Sequence, residues 1–434
     1  MVTHQLARVM LWGDLVGALA YNEESGFSAF EYAPGWIRKG IEISPIRLPL
    51  GRQKYQFTEL PYATYKGLPA AFADTLPDDF GNAVIDAWLA KQGRDADSFS
   101  PLERLLYTGR RGMGALEYHP EFDRTLTRAT PLQVDALVEM AQSVISGRAA
   151  MQLSIAQHER TNGLESMFQV GTSAGGARAK AVVAINRQRT ELRSGQVDCP
   201  EGFEQFILKF DGVVDSNQTH QTFGDPQGYG RMEYAYYLMA RDAGINMSHS
   251  ELLEEGGRAH FITRRFDRIG NEKVHYQSLC AMDHADYKKP GHYSYEQLFS
   301  LMRALRLDRQ SALEMYRRMV FNIVARNQDD HPKNIGFIRR QGADWQLAPA
   351  FDLAYSFRPD SPWVGSHQMT LNGKRDKFVL DDLLLPATTF MKEARHIIDT
   401  VLEVVSRWPE YAERAGVSRD FSAAIRKNHR LRLD

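Results

Sequence analysis

One stretch constrains this chain more than any other: Asn327-Gln328-Asp329-Asp330-His331-Pro332-Lys333-Asn334, followed by Ala350-Phe351-Asp352. Upstream, Leu313, Tyr316, Val320, Ile323 and Val324 recur at helical spacing, so a buried helix delivers the chain to Asp329. Downstream, residues 335–339 and 345–348 read as two strands around the turn Gln341-Gly342-Ala343-Asp344. A hairpin there returns the chain so that Asp352 faces Asn334. Loops rich in Asp and Asn are also ordinary turn chemistry, and for Asp330 taken alone that explanation serves as well as a functional one. It does not account for helix, loop, hairpin and a second acidic residue in this order.

The chemistry this set suits is phosphoryl transfer. Kinase catalytic loops place an Asn five positions after their Asp, and Asp329 and Asn334 reproduce that spacing. One carboxylate accepts or orients a hydroxyl proton. An Asn and a second carboxylate hold Mg²⁺ against the phosphates, because developing charge calls for a hard cation with oxygen ligands. Asp329 is the expected catalytic residue, and Asn334 and Asp352 the expected metal ligands.

A nucleotide half is also legible. Lys209 lies inside the apolar strand pattern of residues 205–210, on the same face as Ile207. A Lys there is either an edge-strand gatekeeper or a phosphate ligand. It falls between a Gly-rich turn (residues 171–180) and a helix carrying Glu233, and a strand Lys with a helical Glu positions nucleotide phosphates in kinases. Gly171 and Gly176 fit the first part of a P-loop, but Ala177-Arg178 replaces its Lys-Ser/Thr pair, which excludes a Walker A motif. Glycines let backbone N–H groups converge on an anion, although an ordinary hairpin loop would look similar.

Composition bounds the rest. At 434 residues the chain is expected to form two or three lobes. A net charge of −1 argues against strong autonomous nucleic-acid binding. The basic run Arg426, Lys427, His429, Arg430 and Arg432 reads as a charged helical tail. Cys199 and Cys280 lie far apart and suggest neither a disulfide framework nor a zinc site. No stretch of about 18 apolar residues occurs, and the first residues do not read as a signal peptide, so a cytoplasmic protein without membrane spans is expected.

Strands are expected at residues 9–12 and 15–21, joined by Gly13-Asp14, and at 41–48, 181–185, 205–210 and 259–263. Helices are expected at 83–91, 131–146 and 234–240. Beyond residue 290 the pattern is mostly helical, with a capping box at Ser294 and Gln297 and an apolar face of Leu298, Leu301, Met302 and Leu305. This gives a small α+β unit over residues 1–125, a β-rich nucleotide-binding lobe over 126–290 and a helical lobe with the catalytic loop over 291–434.

Several ordered pieces together resemble the HipA family of bacterial serine/threonine kinases, the toxin half of a type II toxin–antitoxin pair. They are Ser173-Ala174-Gly175-Gly176-Ala177-Arg178-Ala179-Lys180, Ile207-Leu208-Lys209, Arg265-Phe266-Asp267-Arg268, Asp329-x-His331-x-Lys333-Asn334 and Phe351-Asp352. Trp12-Gly13-Asp14-Leu15-Val16-Gly17 and Leu76-Pro77-Asp78 resemble the family's N-terminal subdomain. The resemblance implies an α+β, bilobal protein-kinase-like fold, closest to phosphoinositide-type kinases, using ATP and Mg²⁺. It makes Asp329 the catalytic Asp, Asn334 and Asp352 the metal ligands and Lys209 the nucleotide-phosphate Lys. Lys333 adds charge at the γ-phosphate, and Gly175, Gly176, His331 and Glu233 belong to the nucleotide site. Arg264-Arg265-Phe266 corresponds to the hinge that contacts adenine, with Arg264 standing where the family often has an acidic residue. Ser173 matches the serine that family members autophosphorylate; a phosphate there, carrying nearly two negative charges, would repel those of ATP.

The resemblance further implies a dimeric helix-turn-helix antitoxin (HipB-like) and operator DNA contacted through that partner. It also implies a protein substrate, with aminoacyl-tRNA synthetases, notably the glutamyl enzyme, as known family targets. Two other readings share the fold. A small-molecule or lipid kinase would use the same Asp, Asn and Asp, but the Ser173 segment and the N-terminal subdomain speak against it. A catalytically weak co-repressor subunit would be expected to lack one of Lys209, Asp329, Asn334 or Asp352, and all four are present.

Overall fold

The computed structural model describes residues 5–77, 79–91, 93, 95, 98–121, 131–145, 178–213 and 227–434. The chain divides into two compact units. Met1–Ile43, Leu50–Gly230 and Ser250–Tyr276 form the first; Ser44–Pro49, Arg231–His249 and Gln277–Asp434 form the second.

Among the described residues the first unit holds two larger antiparallel sheets and a two-stranded ladder of Arg268–Ile269 with Glu272–Lys273. In one, β1 (Leu6–Leu11), β2 (Asp14–Asn22), β3 (Phe27–Tyr32) and β4 (Leu116–His119) lie in the order β3-β2-β1-β4. The turn between β1 and β2 is Trp12-Gly13, one residue earlier than the pattern suggested, because both residues take positive φ (52° and 82°). That is the conformation a two-residue hairpin favours. Gly13 adopts it without strain, and Trp12 is anchored there by its indole Nε1, which donates to Lys273 O (2.9 Å).

The second sheet contains β5 (Lys180–Asn186), β6 (Leu192–Ser194), β7 (Phe203–Lys209), β8 (Ser250–Glu255) and β9 (Arg258–Arg264), in the order β6-β5-β7-β9-β8. Period-two alternation sends Phe206 and Leu208 of β7 into a core with Ala181, Val183 and Ile185 of β5. Helices α1 (Asp79–Lys91) and α3 (Val134–Ile145) cover that core through Val84, Ile85, Leu137 and Ala141. Between them α2 (Pro101–Thr108) begins with a capping box at Ser100 and Glu103.

Residues 41–48 do not form the expected strand; they hold only an isolated bridge between Ser44 and Leu48. Pro45 within the segment and Pro49 directly after it cannot donate to a ladder, and here the apolar pattern marks burial of Ile43 and Leu48 instead.

The second unit is mainly helical. It contains most of α4 (Tyr229–Asp242), then α5 (Tyr295–Ala304), α6 (Arg309–Val324), α7 (Met391–Ser406), α8 (Trp408–Ala415) and α9 (Arg419–Asn428). The Ser294/Gln297 capping box starts α5. α6 is capped by Asp308, whose carboxylate accepts from Ser311 N (2.8 Å), and packs on α7. Tyr316, Met319, Val320, Ile323 and Val324 make its apolar face fully buried, as the helical spacing required. After α6 a short hairpin forms, numbered β10 (Gly336–Arg339) and β11 (Gln346–Leu347), with Phe337 opposite Leu347.

Candidate active site

In the second unit α6 delivers a polar loop, as its sequence suggested. Asn334 ends a 3-10 turn over Pro332–Asn334, where Asn334 N donates to His331 O (2.9 Å). The same residue's Nδ2 donates to Asp329 O (2.9 Å), so the five-residue spacing closes on itself. Oδ1 is left as the accepting end of that amide. His331 Nε2 lies 3.7 Å from Asp329 Oδ1, and the Asp329 side chain is 46% exposed. Tyr287 packs against the loop, its ring 5.4 Å from that of His331 and 5.4 Å from Lys333 Nζ.

Asp330, next in sequence, is wholly buried. Its carboxylate accepts from Tyr295 OH (2.7 Å) and Gln368 N (2.7 Å) and pairs with His367 Nδ1 (2.9 Å). Burial opposes its ionisation, but His367 and these hydrogen bonds outweigh burial and hold the carboxyl below its usual range. The network runs back into α6. Asn322 Nδ2 donates to Tyr295 OH (3.1 Å), and Asn327 Nδ2 donates to Asn322 Oδ1 (2.9 Å). Asp330 is therefore the anchor of the loop, a role its sequence context did not reveal, since its partners lie 35 to 38 residues away.

Asp352 follows the hairpin with a left-handed backbone (φ 53°). The segment leading to it is fixed twice. Ala350 N donates to Asn246 O (2.8 Å), and Ala348 O accepts from Arg318 Nη1 (3.0 Å). Glu314, one turn before Arg318 on α6, accepts from both Arg318 Nε and Asn246 N. One helix thus sets both the loop of Asp329 and the approach to Asp352. Glu233 is buried on α4.

In the first unit Lys209 is buried at the end of β7, its Nζ 5.6 Å from the Phe261 ring. The register places Lys180 of β5 directly opposite it, and Lys180 is buried as well. Like charges facing each other across a ladder are unfavourable by themselves. Lys180 was not singled out by the sequence, because only the strand register shows that it faces Lys209.

Arg264 is exposed and pairs with Glu204 (3.3 Å), and Phe266 packs on Tyr276 (5.6 Å). Arg265 and Arg268 instead turn inward around Asp267, each 2.6 Å from Oδ2. Gly114 N donates to the same oxygen (2.8 Å) and Arg268 Nη2 donates to Gly112 O (3.0 Å). Part of the Arg265-Phe266-Asp267-Arg268 motif is thus a buried staple onto the N-terminal segment. Burial pushes Arg268 down to about 10. Gly175, Gly176 and Ser173 lie outside the described residues.

Among the described residues no group of three or more His, Cys, Asp or Glu could hold a metal ion. An Asn and an Asp are nonetheless a sufficient protein contribution for Mg²⁺, which keeps waters and phosphate oxygens as its other ligands.

Residues 172–408 match the HipA-like C-terminal domain, more than half of the chain, and residues 7–119 match the HipA N-terminal domain. The chain belongs to the HipA family. It is accordingly a kinase, with the ATP- and Mg²⁺-dependent chemistry of that family. A solved structure, the Shewanella oneidensis MR-1 toxin–antitoxin system HipA and HipB with operator DNA, is similar at a TM-score of 0.63 and 16% identity, covering 97% of this chain and 95% of that one. At that identity it establishes the shared fold, a bilobal α+β kinase-like architecture with a small β-rich N-terminal subdomain and a helical C-terminal lobe. The Helicobacter pylori proinflammatory kinase CtkA is similar over 53% of this chain and 88% of its own, at 12% identity and a TM-score of 0.34. No helix among the described residues is long and apolar enough to cross a membrane.

Proposed function

We propose that this HipA-family kinase is the toxin of a toxin–antitoxin pair and transfers the γ-phosphoryl group of ATP to a serine or threonine of a protein. The observation that carries the reading is the contrast between two adjacent carboxylates. Asp330 is buried and locked, and Asp329, beside it, reaches solvent. Asp329 is placed to accept the proton of an incoming hydroxyl, a role that acts in the transition state more than in nucleotide binding. Asn334 and Asp352 would hold Mg²⁺, which supplies positive charge against the developing charge on the phosphates. Lys209, with Lys180 opposite it, holds phosphate oxygens, and Lys333 and His331 complete the charge at the loop. Glu233 is the acidic residue that belongs with this nucleotide half, and Arg264 and Phe266 contact the adenine.

The regions divide by task into residues 1–125 as the family-specific subdomain, 126–290 for nucleotide binding and 291–434 for catalysis. The partner is a dimeric HipB-like helix-turn-helix antitoxin that carries the pair onto operator DNA. A net charge of −1 supports this, since a chain without cationic excess gains little from counterion release and relies on its partner for DNA affinity. The Shewanella complex of HipA, HipB and operator DNA supports the same assembly. Among substrates, an aminoacyl-tRNA synthetase is the first to test. Ser173 is the site of self-phosphorylation, which lowers ATP affinity by placing a phosphate in the cradle that ATP needs.

Incubation with labelled Mg²⁺–ATP alone tests the assignment. Wild-type protein is expected to label itself on Ser173, and Asp329→Ala to bind ATP without labelling. A wild-type protein that transfers phosphate to a small molecule and never to itself would favour a small-molecule kinase. Equal labelling by Asp329→Ala would sink the mechanism.

A further inference from the structure

Helix α6 ends in a turn whose geometry is usually reserved for glycine. Ala325 N donates to Phe321 O (2.8 Å) and Asn327 N to Asn322 O (2.9 Å). Between them Arg326 takes the left-handed conformation, φ 58°. Gly is the common residue at this position because a Cβ is disfavoured there. An arginine at such a site points to a use for its side chain.

That side chain is only 17% exposed. Its Nε donates to Asn428 O (2.8 Å), its Nη1 donates to Asp376 Oδ1 (3.1 Å), and the guanidinium lies 4.4 Å from the Phe357 ring. Asp376 also pairs with Arg430, whose backbone N donates to Val324 O (2.8 Å) at the end of the same helix. The Gln328 amide, oriented so that its nitrogen donates to Val364 O (2.9 Å), accepts from Arg326 Nη1 (3.0 Å).

The backbone here joins two functional segments. Ser356 N donates to Arg326 O (3.1 Å) and Gln328 N donates to Ser356 O (3.2 Å), a parallel bridge around Asn327. Asp329 comes one residue after Gln328, and Asp352 four residues before Ser356. Arg326 therefore has its main chain on the loop of Asp329 and its guanidinium stacked on the segment that follows Asp352.

We propose that Arg326 is a positioning residue that locks the Asp329–Asn334 loop in register with the segment bearing Asp352. It touches neither substrate nor reacting atoms. Asn428, Asp376 and Phe357 form its socket, and its effect is to keep constant the spacing between the proton-accepting carboxylate and the metal-holding one.

Arg326→Gly is the informative variant, because it removes the side chain while relieving the backbone. With saturating Mg²⁺–ATP its kcat is expected to fall at least tenfold, its KM for ATP to change less than threefold, and its thermal midpoint to stay within a few degrees of wild type. Arg326→Lys keeps the charge but lacks the planar fork that reaches Asn428 and Asp376 together, and is expected to recover only part of the loss. Amide hydrogen exchange is expected to speed up together at residues 327–330 and 353–357 in Arg326→Gly, with α7 unchanged. If Arg326 served only as a helix cap, Arg326→Gly would keep wild-type kcat and wild-type exchange, and either result overturns the proposal. The kinetic arm rests on the phosphotransfer assignment and the exchange arm does not. A wild-type protein without transferase activity whose two segments still loosen together would refute that assignment and uphold this one.

Discussion

Asp330 Oδ2 and His367 Nδ1 lie 2.9 Å apart with neither side chain exposed to solvent. This contact ties the residue following Asp329, the proposed catalytic Asp, to a segment 37 residues downstream. A carboxylate fixed at this point holds the backbone next to Asp329, whose proposed role depends on orientation.

Removing the anchor is therefore expected to harm both stability and turnover. Asp330→Ala strands the Tyr295 hydroxyl, the Gln368 N–H and the His367 imidazole in a buried setting, a loss of about 3–5 kcal/mol. Urea denaturation would measure it. Activity per folded molecule, assayed well below the transition, is expected to fall more than tenfold. Unchanged specific activity in the folded fraction would make Asp330 a stability residue alone.

Asp352→Asn is expected to weaken the handling of Mg²⁺–ATP rather than the chemical step, because it removes a formal charge from the proposed oxygen-ligand site. Titrating Mg²⁺ against nucleotide binding should show a rise of about tenfold or more in the half-saturating concentration, consistent with the roughly 1.5–3 kcal/mol typical of charged hydrogen-bonding groups. An unaltered metal dependence would leave Asp352 a turn residue with an unusual φ.

The facing pair of Lys180 and Lys209 predicts equivalent defects from either side. Lys180→Met and Lys209→Met are each expected to cut nucleotide affinity by about tenfold or more, on the same energetic scale. Wild-type protein at a nucleotide concentration about 100 times its Kd gains about 2.7 kcal/mol of stability, and that gain should shrink in each variant. Calorimetry with and without nucleotide decides the matter. A Lys180 variant that binds normally would show that only one of the two meets phosphate.

Acid sensitivity is expected from His429. Its ring is buried, with Nε2 3.0 Å from Tyr236 OH, and burial, reinforced by Arg326, pushes its pKa down to about 3. An unfolded histidine titrates near about 6.5. Below that pH the unfolded chain takes up a proton that the folded chain refuses, so stability falls with pH between about 6.5 and 3. At pH 5 the loss attributable to this residue is about 2 kcal/mol. Comparing melting of wild type and His429→Phe at pH 7.5 and pH 5 tests it: the variant should lose less on acidification.

What was legible in the sequence was local. The spacing of Asp329 and Asn334, the hairpin before Asp352, the apolar face of α6 and the Ser294/Gln297 cap all involve residues within a few positions of each other, where helical and strand periodicities act directly. The rest depended on register or on distant partners. Lys180 meets Lys209 only once β5 and β7 are paired, and Asp330 acquires its role from Tyr295, His367 and Gln368. Arg265 was read with Arg264 and Phe266 as part of an adenine-contacting hinge, yet its charge and that of Asp267 neutralise each other in the interior. Residues 41–48 satisfied the apolar criterion for a strand, while Pro45 inside them and Pro49 at their edge withhold donors that a ladder needs.

The two units are interleaved along the chain, which passes between them after Ile43, Pro49, Gly230, His249 and Tyr276. The first unit is complete only at Tyr276 and the second only at Asp434. The five-stranded sheet lacks β9, the neighbour of the strand that carries Lys209, until residue 264 has been made, and Asp352 emerges almost ninety residues later. A product broken before that point lacks Asp352, the residue proposed to hold Mg²⁺. The second unit closes later still, since the Arg326 side chain meets Asn428 O and Arg430 N meets Val324 O only when the last residues have been made.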